Sequence, residues 1–250
     1  MQITGNTVLI TGGATGIGFS IAKEFIDSNN EVIICGRRTQ KLEEAKKKLP
    51  GLHTRVCDLS KKEERKNLYE WVSETFPQLN ILVNNAGIQR MIDFRKGVSE
   101  LLGGEDEIDV NLVAPIQLSA HLIPLLTKQK EAGIVNISSG LAFAPLAIVP
   151  IYCATKAAIH SFSLSLRHQL RSTPIKVFEI IPPTTDTELD KGARERRGQI
   201  DRGIPPDDVA KATIDGIRKD EYEIAVGRAA GLRQGSRENP EELFQNMNRF

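Results

Sequence analysis

Short runs of apolar residues alternate along this chain with longer stretches in which apolar positions recur every three or four residues. The runs Thr7–Ile10, Glu31–Cys35, Leu52–Val56, Leu79–Val83, Ile134–Ile137, Lys176–Ile181 and Glu223–Val226 are bounded by turn-forming residues and read as strands. The periodic stretches read as helices: Ile17–Ser28, Lys41–Lys48, Lys61–Phe76, a segment from about Glu105 to Thr127 that Pro115 and Pro124 bend, Tyr152–Arg171 and Pro206–Arg218. Strand and helix alternate from end to end without an internal linker. That order predicts one α/β domain over residues 1–250, a Rossmann-type doubly wound parallel sheet of about seven strands flanked by helices. Three stretches fall outside the pattern. Ile88–Gly104 is irregular and suits a pocket rim. Residues 188–203 are polar and charge-rich, and suit a mobile substrate loop. The tail, 228–250, is polar with two glycines, and is expected to lack order in part or to dock on a partner subunit.

Composition narrows the class. With 40% hydrophobic residues in 250, the chain can bury a sizeable core. Thirty-three basic against thirty-two acidic side chains leave a formal charge of +1, which argues against a general electrostatic grip on nucleic acid or membrane. The opening MQITGNTVLITGG has no signal-peptide character. The longest apolar stretch, Leu141–Ile151, is interrupted by Pro145 and Pro150, so no membrane span is expected. Cys35, Cys57 and Cys153 form no CxxC pair and no metal pattern. Reduced thiols in a cytoplasmic protein without a metal account for them, with Cys153 as a small buried filler. His160 and His168 have no partner pattern and read as structural or surface residues.

In a doubly wound sheet, ligands sit beyond the carboxyl ends of the strands, and the chemically distinctive stretches all fall at such ends. The first strand enters TGGATGIG, Thr11 to Gly18, and then a helix. Glycines let the backbone approach a pyrophosphate, and helix N-terminal amides receive its charge. The spacing Gly12-xxx-Gly16-x-Gly18 differs from the GxGxxG of other dinucleotide folds. An acid after the second strand would hold an NAD ribose, but this strand ends Gly36-Arg37-Arg38. Guanidinium forks match a phosphate, so NADP(H) is favoured, with NAD(H) left open. After the third strand Asp58 fits two roles, acceptor for an adenine amino group and cap of the helix that starts near Ser60. Small and amide residues, Asn84-Asn85-Ala86-Gly87, follow the fourth strand and suit the approach of a flat ligand.

The fifth strand delivers Ser138 and Ser139, and Tyr152 and Lys156 follow. Four residues apart on a helix, a phenol and an ammonium share one face. A neighbouring cation favours phenolate, and a phenol tuned in this way exchanges a proton with a carbonyl or alcohol oxygen. The Ser139 hydroxyl offers a hold on that oxygen. Leu141, Phe143, Leu146 and Ile148 suggest an apolar wall, although core or subunit contact would use the same residues.

Over residues 7 to about 227 these motifs, in this order, resemble the short-chain dehydrogenase/reductases: TGGATGIG, Asp58, NNAG at 84–87, Asn111, Ser139, YCATK at 152–156 and the Pro182 segment. GLHTRVCDLS, NNAGIQR and SSGLAFAPLA carry a narrower likeness to reductase-like members encoded beside teichoic-acid D-alanylation genes. The resemblance implies a catalytic tetrad Asn111, Ser139, Tyr152 and Lys156. Tyr152 would be the general acid/base and Ser139 would position the substrate oxygen. Lys156 would bind the nicotinamide ribose and lower the tyrosine pKa, and Asn111 would hold a relay water. It also implies cofactor contacts from Gly12, Thr15, Gly16, Ile17 and Gly18, then from Arg37, Arg38, Asp58 and Leu59. Further contacts would come from Asn85, Ala86 and Gly87, and from Tyr152, Lys156, Pro182 and Thr187. Where the family commonly has Pro-Gly this chain has Pro182-Pro183, so a stiffer loop is expected there. The expected activity is hydride transfer between NADP(H) and a small-molecule carbonyl or secondary alcohol. A non-catalytic NADP(H)-binding regulatory protein is the alternative. A homodimer or homotetramer through the helices carrying Asn111 and Tyr152 is also implied.

Overall fold

A computed structural model describes residues 1–189 and 203–249. Its strands are β1 (Thr7–Thr11), β2 (Glu31–Gly36), β3 (Leu52–Val56), β4 (Ile81–Asn84), β5 (Ala132–Ile137), β6 (Ile175–Ile181) and β7 (Glu223–Ala225). They form one sheet in the order β3-β2-β1-β4-β5-β6-β7, and every pairing is parallel. A parallel sheet needs cover on both faces. On one face lie α1 (Gly16–Asp27) and α2 (Thr39–Lys48). On the other lies α3 (Lys62–Thr75), while α4 (Val98–Leu102) is a short helix in the stretch that follows β4 and lines no part of the cavity described below. Then α5 (Ala114–Leu126) and α6 (Pro150–Gln169) join the α3 face, and α7 (Pro206–Arg218) joins that of α1.

Side-chain alternation divides the core. In β1, Val8 and Ile10 pack with Phe25 of α1 and Ile214 of α7, while Leu9 packs with Leu68 of α3 and Leu122 of α5. A buried polar chain stitches the second face. The Asn84 amide donates to Ser119 Oγ (3.2 Å) and Asn136 Oδ1 (2.9 Å), and the Asn136 amide donates to Ser163 Oγ (2.9 Å). His160 of α6, read above as lacking a partner pattern, meets the wholly buried Glu179 of β6 through Nδ1, 2.7 Å from Oε2.

The structure departs from the sequence reading in three places. First, the helix expected from Glu105 carries a π-helical turn, Asp109–Val113, before α5. Pro115 has no N–H for the Asn111 carbonyl, and the Ala114 amide instead reaches the Asp109 carbonyl five residues back. Second, Asp109–Leu126 is long and apolar enough to cross a membrane, a property the sequence reading did not assign to it. Here Leu118, Leu122 and Leu126 pack on the sheet. Third, the tail is helical in the described residues, with α8 (Arg228–Glu238) and α9 (Pro240–Met247). The loop expected over 188–203 lies, from 190 to 202, outside the described residues. Its two ends meet, with the Ile204 amide donating to the Thr184 carbonyl (3.0 Å) and the Asp186 amide to the Ile204 carbonyl (2.9 Å).

Candidate active site

Strand order reverses between β1 and β4, because the chain leaves β1 toward β2 and β3 and returns on its other side. Such a switch point opens a crevice at the carboxyl ends of the strands. A cavity of about 1170 Å³ lies there. Thr11 at the end of β1 ties its floor together: Thr11 Oγ1 accepts from the amides of Asn85 and Ala86, both at 3.0 Å, and donates to the Val83 carbonyl. The Asn85 side chain donates back to the carbonyls of Thr11 (2.9 Å) and Gly12 (3.1 Å). Gly12 has φ +64°, and a Cβ there would lie 2.9 Å from the Ala86 Cα. A side chain at Gly12 would therefore drive the two turns apart.

Gly12, Thr15, Gly16 and Ile17 line the cavity, and Gly18 does not. Gly18 sits behind the turn, where a Cβ would lie 2.4 Å from Asn85 Nδ2, so its place is to let the turn close on Asn85. Gly16, with φ +55°, lies under Thr187, another lining residue. At one end are Arg37 and Arg38 after β2, and Asp58 and Leu59 after β3. Both arginines already hold carboxylates. Arg37 forms a two-pronged pair with Glu105 (2.6 and 2.9 Å), and Arg38 donates to Glu188 (2.7 Å) and Thr15 Oγ1 (3.3 Å). Burial pushes the Asp58 carboxyl up, but the hydroxyl and amide of Ser60, with Lys61 and Arg37 nearby, outweigh it and hold the group below its ordinary value. The helix cap foreseen for Asp58 does not form: α3 begins at Lys62 after Lys61 and takes no side-chain cap, and Asp58 closes a turn on Ser60 instead.

Ala86, Gly87, Ser139, Tyr152, Lys156 and Pro182 line the middle of the cavity. Pro150 starts α6 and sets Tyr152 and Lys156 on its first turns, both buried. Lys156 Nζ lies 5.6 Å from the Tyr152 ring centroid and donates to the Ile137 carbonyl at the end of β5 (2.8 Å). Burial depresses this ammonium to about 8. Ser139 leaves β5 extended and caps a short 3₁₀ turn, its hydroxyl accepting from the Leu141 amide (3.1 Å). The Pro182 carbonyl accepts the Gly140 amide (2.9 Å), which binds the segment after β6 to that turn.

Asn111 is brought close but lies behind the wall. Its side chain accepts from the Ile88 amide (2.8 Å) and donates to the Ile88 carbonyl (2.9 Å) and Thr155 Oγ1 (3.2 Å), and Thr155 donates to the Tyr152 carbonyl (2.8 Å). The π-helical turn therefore clamps both the segment after Gly87 and the first turn of α6. Of the expected apolar wall, Leu141, Leu146 and Ile148 line the cavity, whereas Phe143 turns away onto the His160 ring (4.7 Å between centroids). Sequence reasoning missed Glu105, Glu188, Thr155, Leu232 and Met247. The spacing of Leu243, Phe244 and Met247 was the signal for an amphipathic helix in the tail.

Comparison with known proteins gives the same picture. The family described as short chain dehydrogenase matches residues 6–198. The "Uncharacterized oxidoreductase DltE" of Bacillus subtilis (strain 168) is 51% identical over 248 residues, 99% of this chain and 98% of the relative. Among solved structures, the closed form of serine dehydrogenase complexed with NADP+ is 30% identical, with a TM-score of 0.74 over 83% of this chain and 87% of that one. A short chain dehydrogenase/reductase from Burkholderia phymatum in complex with NAD shares the fold, with a TM-score of 0.84 over 97% and 96% of the two chains at 18% identity. With its parallel sheet, its glycine turn and its cavity at the switch point, this chain belongs to the short-chain dehydrogenase family and is an oxidoreductase of the DltE kind.

Proposed function

We propose that the protein is an NADP(H)-dependent oxidoreductase acting on a carbonyl or secondary alcohol, with Tyr152 as the general acid/base. The observation that carries this reading is the buried Lys156 ammonium beside the Tyr152 ring, in one cavity with Ser139 and the glycine turn. The cradle fits a nicotinamide dinucleotide: Gly12 and Gly16 present bare backbone, and Arg37 and Arg38 end the same cavity with four forked nitrogen donors. When bound, that cofactor supplies the hydride or takes it away.

The chain's own residues do the rest. In the reducing direction the Ser139 hydroxyl holds the substrate oxygen and the Tyr152 phenol gives it a proton as the carbon accepts hydride. The Lys156 cation beside the ring stabilises the resulting phenolate. In oxidation the same groups take the proton. NADP(H) is favoured over NAD(H) because a 2′-phosphate brings close to two charges to Arg37 and Arg38. Their half-exposed pairs with Glu105 and Glu188 are of a kind worth only about 0–1 kcal/mol and yield to it. The similarity to an NADP+-bound serine dehydrogenase supports the coarser class, an alcohol or carbonyl oxidised or reduced with NADP(H), for this chain. Its three buried free cysteines and the choice of NADP(H) accord with a cytoplasmic site of action.

Tyr152→Phe keeps the ring and deletes the titratable oxygen. Followed as NADPH absorbance with any carbonyl the wild type reduces, the rate should fall about 10²–10⁴-fold with NADPH affinity little changed. Near wild-type turnover would remove Tyr152 from the chemistry. Tight NADPH binding without turnover across a broad carbonyl panel would favour a regulatory binding protein.

A further inference from the structure

We propose that Asn248 latches the C-terminal segment of this chain onto the loop after Ser139 and thereby sets the active site's choice of substrate. In this arrangement α8 and α9, latched by Asn248, close an apolar sleeve that selects substrates with an aliphatic chain beside the carbonyl. The inference deepens the oxidoreductase reading and rests on it for which end of the cavity takes substrate.

The segment is held at both ends. At its start Ala229 is fully buried, and Arg233 pairs with Glu223 of β7, which Arg167 of α6 also holds (3.2 Å). The two helices fold on each other where Leu243 meets Gly235. At its far end Asn248 closes a two-way clamp on the loop that follows Ser139. Its side-chain oxygen accepts the Ala147 amide (2.6 Å) and its side-chain nitrogen donates to the Pro145 carbonyl (3.0 Å). The same nitrogen also reaches the Phe244 carbonyl (2.9 Å). Between the anchors, Leu232 and Met247 line the cavity together with Leu141, Leu146 and Ile148. Leu232 lies on the Ser139 turn, since a Cβ at Gly140 would come within 2.9 Å of its Cδ1. A carbonyl held at Ser139 therefore has its substituent directed along these five side chains. Arg228, one helical turn before Leu232, lines the same end.

Asn248 is a positioning residue, since it acts through Met247 and the 145–147 loop. The test uses full-length protein loaded with NADP+ and titrated calorimetrically with straight-chain primary amides from acetamide to octanamide. These carry a carbonyl and are not substrates for hydride transfer. Wild type should bind tighter by about three- to fourfold for each added methylene, as burial of a CH₂ predicts. Asn248→Ala releases two hydrogen bonds to the loop and should weaken octanamide by about tenfold while flattening the chain-length dependence. Asn248→Asp keeps the acceptor for Ala147 and loses the donor to Pro145, so it should fall between the two. Met247→Ala should flatten the series with the latch intact. A flat series in wild type overturns the proposal, as does a wild-type series in both Asn248→Ala and Met247→Ala. A parallel NADPH assay with methyl ketones separates the two readings. Chain-length-dependent binding without turnover sinks the oxidoreductase reading and keeps the wall, whereas turnover indifferent to chain length does the reverse.

Discussion

Lys156 is under two opposed demands. In the proposed role its charge serves the Tyr152 phenol, yet its burial disfavours that charge and depresses the group from 10.5 to about 8. The folded value lies below the unfolded one, so between pH about 8 and 10.5 the unfolded chain binds more protons and stability rises with pH across that window. Below it the buried ammonium costs the fold roughly 3 kcal/mol, at about 1.4 kcal/mol for each pH unit of depression. Lys156→Met should therefore raise the melting temperature of the cofactor-free protein at pH 7 while removing activity. Activity that needs the ammonium should decline as pH climbs through about 8, although the fold itself becomes more stable there. A melting temperature that drops in Lys156→Met would show that the bond to the Ile137 carbonyl outweighs desolvation. This cost is of the kind a catalytic group imposes on its scaffold.

At the scale of elements, the clearest feature is the set of carboxylates laid across Arg37 and Arg38. Glu188 takes both Arg38 (2.7 Å) and Lys41 (3.6 Å), and its carboxyl is held below its ordinary value, first by the hydrogen bond from Arg38. A 2′-phosphate bound as proposed would compete with it. Glu188→Gln should thus tighten NADPH by up to about fivefold, an exposed pair being worth about 0–1 kcal/mol. Arg37→Ala should weaken NADPH more than NADH. Fluorescence titration of the two cofactors measures both effects, and equal losses for NADPH and NADH in Arg37→Ala would refute the preference. The arginines could be read from the sequence because they end a strand. Glu105 and Glu188 could not, because they come from segments 68 and 150 residues away. The same division runs through the rest of the site. TGGATGIG, NNAG and YCATK each carry their local geometry, whereas the Asn111 clamp on Ile88 and Thr155 exists only once the π-helical turn is in place. The pair of His160 and Glu179 was equally hidden, since it joins a helix to a strand across the core face. Removing the imidazole leaves the wholly buried Glu179 side chain without this hydrogen-bond partner, so His160→Ala should cost about 1–3 kcal/mol of stability by urea denaturation, and Glu179→Gln less.

The seven-strand sheet was legible because short apolar runs recur between turn-forming residues, and β1, β4 and β5 are buried along their whole length, as only a doubly covered sheet allows. The same reasoning, applied to the helices, leaves a surplus. Only 44% of the apolar stretch Asp109–Leu126 is buried within the chain, and Ile108 beside it is 46% exposed. On the neighbouring α6, Leu164 is 41% exposed, and Phe162 is only partly covered. A polar outer face would be expected of helices that end at water. We propose that these faces of α5 and α6 pack against the same faces of a second copy in a homodimer or homotetramer. Self-complementary patches of this kind form closed, two-fold interfaces, and a stable one needs about 800 Å² from each partner. Because Tyr152 lies on α6 and Asn111 on the π-helical turn that leads into α5, such an interface would also stiffen the elements that carry the site. Light scattering at micromolar concentration should give at least twice the mass of one chain. Leu164→Glu places a charge in the interface while leaving the α6 face toward β6 untouched, so it should shift that mass toward the monomer without lowering the helix content. A wild-type monomer under the same conditions would refute the assembly and leave the apolar stretch to some other cover.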